Sequence, residues 1–214
     1  MAAVAALFAV AGSVGMASAA ETIVDADVRF LPADQAIRIE GAIGARFDAD
    51  VRAALEAHPD ARHIVITSPG GMRAPAMRVA ELANARGLTV RVSGRCASAC
   101  ALLWAAADRR EMTYDSGLGL HRSGLDPSLG LPDVLRRRIM ARNDRQTDDV
   151  LRNAGFPERV IAVGAATPAE SMSWFSPYEL QTGGVSFVLL DGTGHAAALD
   201  IATGHVLTGA TVAR

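Results

Sequence analysis

Lysine is missing from this chain altogether: the 21 basic residues among 214 are all arginine. No side-chain amine is therefore available as a catalytic base. Aromatic residues make up only 5% of the chain, and cysteine is limited to Cys96 and Cys100. Two thiols with no histidine or cysteine close by in sequence do not make a metal centre, so none is expected. A formal net charge of −2 leaves the chain without the basic surface that nucleic acid requires. What is abundant is apolar side chain: half the residues are hydrophobic and the mean hydropathy is +0.20. That supplies a sizeable core and excludes a globally disordered chain.

The first sixteen residues are small and apolar, and Ala17-Ser18-Ala19-Ala20 offers small-residue cleavage sites before Glu21. This reads as a cleaved export signal over residues 1–20, although no Lys or Arg precedes the apolar run. A membrane anchor is the rival reading, weakened by Gly12, Ser13 and Gly15 within the run. Export to the periplasm or beyond places both cysteines in an oxidising compartment. Residues 21–190 then form one domain and residues 191–214 a tail or hairpin turning near Thr203 and Gly204.

Within the domain, apolar runs alternate with helical patterns. Strands are predicted at the edge segment before Leu31, at 36–41, 63–67, 88–92, 111–114, 118–120 and 185–190. Helices are predicted from Asp48, as N-cap, to Ala57, and over 72–85, 132–153 and 157–165. The helix opening at Pro132 is arginine-rich, with Val134, Leu135, Ile139, Met140, Val150 and Leu151 on its apolar side. Its Arg136-Arg137-Arg138 run reads as a solvated face or an oligomer contact. A further helical turn is predicted from Trp174. Strand–helix alternation implies an α/β fold, with a largely parallel sheet covered on both faces. Trp104, Met77 and Met140 read as core, and His58, His63, His195 and His205 as surface.

Three features fall at the ends of successive strands. Ser68-Pro69-Gly70-Gly71 leaves consecutive amides free of bulky side chains. Ser98 lies where the 88–92 strand gives way to an alanine-rich helix, in Gly94-Arg95-Cys96-Ala97-Ser98-Ala99-Cys100-Ala101. By itself a serine in that place is an N-cap. His121 ends a later strand beside Gly117, Gly119 and Gly124. Residues at the carboxyl ends of neighbouring strands converge on one crevice in an open α/β sheet, so a hydroxyl, an imidazole and free amides are expected to meet there. Cys96 and Cys100 lie four apart, and helical spacing puts their Cα atoms about 6 Å apart, within reach of a disulfide. Two small buried thiols are the alternative.

In order and spacing, Thr67-Ser68-Pro69-Gly70-Gly71-Met72, the Gly94–Ala101 stretch, and Gly119-Leu120-His121-Arg122 resemble the Clp protease proteolytic subunit, within the wider ClpP/crotonase fold. The resemblance spans roughly residues 36–190, and the long helix after His121 falls where that family has its protruding handle helix. It implies Ser98 as nucleophile, His121 as general base, Gly70 and Ala99 as oxyanion donors, and Gly71 and Met72 as partners of the substrate backbone. The family's third triad member, an aspartate, aligns with Phe187, next to Ser186, and neither can orient an imidazolium. Asp191 and Asp115 are the remaining candidates. Exported signal-peptide peptidases of this fold use a serine–lysine dyad, which a lysine-free chain cannot build.

The resemblance thus implies an exported serine hydrolase acting on peptide or protein, with no cofactor and with a homo-oligomer as a further expectation. A non-catalytic peptide-binding or assembly protein on the same scaffold is the alternative. A crotonase-type acyl-CoA enzyme is a third, disfavoured by an extracytoplasmic location.

Overall fold

A computed structural model describes residues 24–125, 127–200 and 206–207; the expected export segment, residues 1–20, lies outside them. Strand β1 (Asp27–Leu31) runs antiparallel to β2 (Ala36–Glu40) at one edge of the sheet. From β2 the order continues in parallel through β3 (His63–Ser68), β4 (Thr89–Ala97) and β5 (Arg109–Thr113). Two short strands, β6 (Gly117–Leu120) and β7 (Ser173–Phe175), pair with each other antiparallel, and β6 lies parallel to the far end of β4. Beyond β5 the sheet closes with β8 (Val188–Leu190), then antiparallel β9 (Ala196–Leu199) and β10 (Val206–Leu207). The chain is therefore mixed α/β with a mostly parallel sheet.

The strand register sorts side chains by face. Ile37, Ile64 and Val90 form one row, and Ile39, Ile66, Val92, Met112 and Leu189 the next; all are buried. Helices α1 (Phe47–Ala57), α2 (Arg73–Ala85) and α3 (Ala99–Ala105) join this core through Phe47, Val51, Leu55, Ala76, Val79, Ala83 and all of α3. The opposite face carries Arg38, Glu40, Arg91 and Glu111, with Arg91 Nε donating to Glu111 Oε2 at 2.7 Å. A sheet covered on both faces was expected; of its two faces one is apolar and the other mostly polar. In β2 Ile39 turns to the apolar face and its neighbours Arg38 and Glu40 to the polar one.

Strand β4 changes partner midway, and this positions the site. Its first half pairs with β5 and its second half with β6, with a register shift against β3 between Ile66 and Ser68. Gly94, at φ 88°, makes the bend. The bend is pinned from two sides: Thr67 Oγ1 donates to Ser93 O, and Gly94 N–H donates to Ser116 Oγ at 3.0 Å.

The remaining helices are α4 (Asp133–Asn153), α5 (Glu158–Ala166) and α6 (Pro177–Thr182). Several local expectations are corrected. Arg46, not Asp48, occupies the N-cap of α1, and Asp48 instead grips Arg78 of α2 with both oxygens. Trp174 lies in β7, and α6 starts later behind a Ser176–Glu179 capping box. Val134 and Leu135 do not face the core; they are 56% and 45% exposed. His63 is half-buried, and desolvation holds its pKa below the ordinary histidine value. Among the described residues, no helix is long and apolar enough to cross a membrane.

Candidate active site

Strand β4 ends at Ala97 and α3 begins at Ala99, so Ser98 alone turns the chain. Its φ of 54° and ψ of −120° lie where side chains are rarely tolerated. Such a conformation costs about 1–3 kcal/mol and persists only if the surroundings enforce it. They do so here: Ser98 N–H donates to Gly119 O at 2.9 Å, and Ser98 O accepts from Leu102 N–H at 3.2 Å. The expected disulfide joins Cys96 in β4 to Cys100 in α3, with Cα atoms 5.3 Å apart; the turn at Ser98, not helical spacing, brings them together. It brackets the serine and fits an oxidising compartment. All of α3 is buried, and the Ala99 N–H, at its first turn, donates to no other group among the described residues.

The glycine loop packs directly on this elbow. A Cβ at Gly70 (φ 94°) would stand 2.5 Å from Ala97 O and 2.8 Å from Ser98 Cβ, and one at Gly71 (φ 139°) would strike Ile43 O. Ile43 N–H donates to Gly70 O at 2.8 Å, and Met72 N–H donates to Ile43 O at 2.7 Å. The amide expected of Met72 for a substrate strand is thus already used within the protein. Gly70 N–H donates to Ser68 Oγ at 3.0 Å, so it has an acceptor of its own. Gly71 N–H makes no such bond and lines the cavity described next, which makes it the open amide of the loop.

A cavity of about 460 Å³ lies over the elbow, within the range of small-molecule sites. Gly71, Ser98, Ala99 and His121 line it together, with Met72 and Arg73 on one side and Asn143 and Thr147 of α4 on the other. Serine, imidazole and free amides from three distant segments therefore do share one cavity. No hydrogen bond joins Ser98 Oγ to the His121 ring among the described residues. The loop after His121 is tied down by Arg122 N–H to Thr167 O (3.0 Å) and by Ser123 N–H to Asp144 Oδ1 (2.7 Å).

Neither expected carboxylate is hydrogen-bonded to the imidazole. Asp191 Oδ1 accepts from Thr193 N–H, Thr193 Oγ1 and His195 N–H at 2.8, 2.6 and 3.0 Å, closing the turn after β8. Those bonds, the Thr193 side chain first, hold it below the usual carboxylate range. Asp115 is exposed in the turn between β5 and β6. Phe187 sits edge-on to Trp104, with ring centroids 5.4 Å apart. His121 Nδ1 is buried and has no hydrogen-bond partner. A second void, about 10 Å³, adjoins His121 and is lined by Asp144, Thr147, Asp148 and Leu151 of α4. It has room for one water. Asp148 is shifted upward, by burial first and then by the neighbouring carboxylates Asp144, Asp149 and Glu158, against the pull of Arg152.

The α4 aspartates and Arg73 were missed from sequence. A signal existed: Asp144, Thr147 and Asp148 recur at helical spacing with Leu151, so they share the one face of α4 that turns inward. No protein-family model matches the chain, and no curated protein matches it at a significant level. Fold and site define it as a mixed α/β protein carrying a disulfide-bracketed serine and a histidine over one cavity.

Proposed function

We propose that the chain is an exported serine hydrolase of the ClpP/crotonase fold, similar to the Clp protease proteolytic subunit, and that it cleaves peptides. The observation that carries this reading is the strained Ser98 elbow, opening onto the same cavity as His121. A backbone held at such a cost beside a cavity is a hallmark of a nucleophile presented on a strand-to-helix turn. Ser98 Oγ attacks the carbonyl carbon while His121 takes its proton and later returns it to the leaving amine. Ala99 N–H, with Gly71 N–H, donates to the oxyanion. Gly70 N–H joins them by sharing or leaving Ser68 Oγ. The Ser98–His121 contact tightens on substrate binding, as catalytic hydrogen bonds in unliganded enzymes often do. The imidazolium so formed is stabilised from α4, with Asp148 as the positioning carboxylate across the one-water void.

A fluorophosphonate probe tests this on the full chain. Labelling of Ser98 is expected in the wild type, absent in Ser98→Ala and slowed by about a hundredfold or more in His121→Ala. An unlabelled wild type, or labelling that survives Ser98→Ala, overturns it. The open Ser98–His121 pair favours a second reading, a peptide-binding scaffold without catalysis, for which the probe leaves Ser98 untouched.

A further inference from the structure

Arg73 opens α2 and lines the cavity beside Ser98, half-buried. Its Nη1 donates to Gln146 Oε1 of α4 at 2.5 Å. Its Nε is buried and donates to nothing, and Nη2 makes no hydrogen bond among the described residues. Burial lowers its pKa, with no carboxylate acting to raise it. Other arginines of this chain are treated differently. Arg78 grips Asp48 through Nε and Nη2, at 2.6 and 3.0 Å, and Arg152 holds Glu158 through the same pair of nitrogens, at 2.6 and 3.3 Å. In Arg73 those two nitrogens are the ones without a partner, Nε being shut off from solvent as well, while the remaining nitrogen is anchored to α4.

The cavity wall offers it no counter-charge. Among the described lining residues there is no aspartate or glutamate; the ionisable ones are Arg73, His121 and the rim residue Arg122, whose Nε is bonded to Ala165 O. Leu102, Leu120, Leu125 and Leu129 make much of the remaining surface apolar. A partly desolvated guanidinium gains from a ligand that supplies the missing counter-charge, and its planar fork matches a carboxylate with two parallel hydrogen bonds.

We propose that the cavity takes carboxylate-bearing substrates and that the Arg73 guanidinium, turning its unpartnered Nε and Nη2 toward the ligand, is the receptor for that carboxylate, supplied either by an acidic side chain or by a peptide C-terminus. The proposal deepens the hydrolase reading and names the substrate class of the same site. Its test reads binding, so it stands or falls separately from probe labelling.

Binding to full-length Ser98→Ala protein is measured by fluorescence anisotropy with two pairs of labelled hexapeptides. One pair is amidated at the C-terminus and differs by Glu against Gln; the other has neutral side chains and differs by free acid against amide. At least one acidic member is expected to bind tenfold or more tightly than its neutral twin, and the pair that shows it identifies the source of the carboxylate. The preference shrinks below threefold when Arg73→Gln is added. Arg73→Lys, which keeps the charge but loses the fork, falls between the two and decides the matter if the Gln variant does not fold. Equal binding within both pairs, no binding by any peptide, or a preference that survives Arg73→Gln overturns the proposal, as does stronger competition by inorganic phosphate than by acetate.

Discussion

Ser98 and His121 look into one cavity from two regions built in opposite ways. On the serine side every residue of α3 is buried, two glycines fit where no side chain could, and a disulfide crosses the turn. On the histidine side the wall is α4, a helix of 21 residues in which Leu151 is the fully buried side chain and Val134 and Leu135 stand exposed. The serine is therefore preset by packing, whereas the loop bearing His121 leans on a polar helix with a thin apolar contact. On the proposed mechanism, bringing imidazole to hydroxyl falls to the second region, because the first is packed without slack.

Truncation separates the two most sharply. Leu103→Ala, in the fully buried helix, should cost about 3–4 kcal/mol in urea denaturation, as a cavity-forming change does. Leu135→Ala, at the exposed end of α4, should stay within about 0.5 kcal/mol. Similar losses at the two sites would erase the contrast.

The disulfide comes next. Replacing both Cys96 and Cys100 by serine releases a cross-link of separation four, which the loop-entropy relation values at about 2 kcal/mol. Probe labelling at Ser98 should fall as the strained turn relaxes. Unchanged labelling would show that the glycine packing alone holds the elbow.

The smallest effect should come from Asp148, and its sign is opposite. A carboxyl whose folded pKa is raised stays protonated in the folded chain after the unfolded chain has ionised. Stability therefore drops as pH rises through the ordinary carboxylate range. Asp148→Asn should gain stability over the wild type at pH 7, with no gain at pH 3, where both states are protonated. If Asp148 orients His121, the same variant should label more slowly at Ser98. A stabilised variant that labels at the wild-type rate would leave Asp148 a merely tolerated charge.

Most of the parallel strands could be read from the sequence because Ile37, Ile39, Ile64, Ile66, Val90 and Val92 combine β-branching with clear turn signals around them. The elbow was legible too, since serine between small residues after a glycine-broken strand leaves little choice of local geometry. Two features were not. The polar sheet face depends on register across strands far apart in sequence, which no local window contains. The aspartates that share a void with His121 and the guanidinium of Arg73, tied to Gln146, depend on how α4 packs against the rest of the chain. An aspartate on a charged helix looks solvated until its neighbours in space are known. Asp191 misled for the converse reason: its proximity in sequence to the expected position concealed a local turn that uses its side chain fully.

Residues 96 to 100 and the sulfur–sulfur bond form a closed hoop, with Ser98 as its middle link. One end of the hoop is riveted to a central strand and the other to a helix sunk in the interior. Rotating the serine's peptide planes consequently means rotating strand and helix with them, so whatever adjustment a bound molecule demands is made by the partner across the gap.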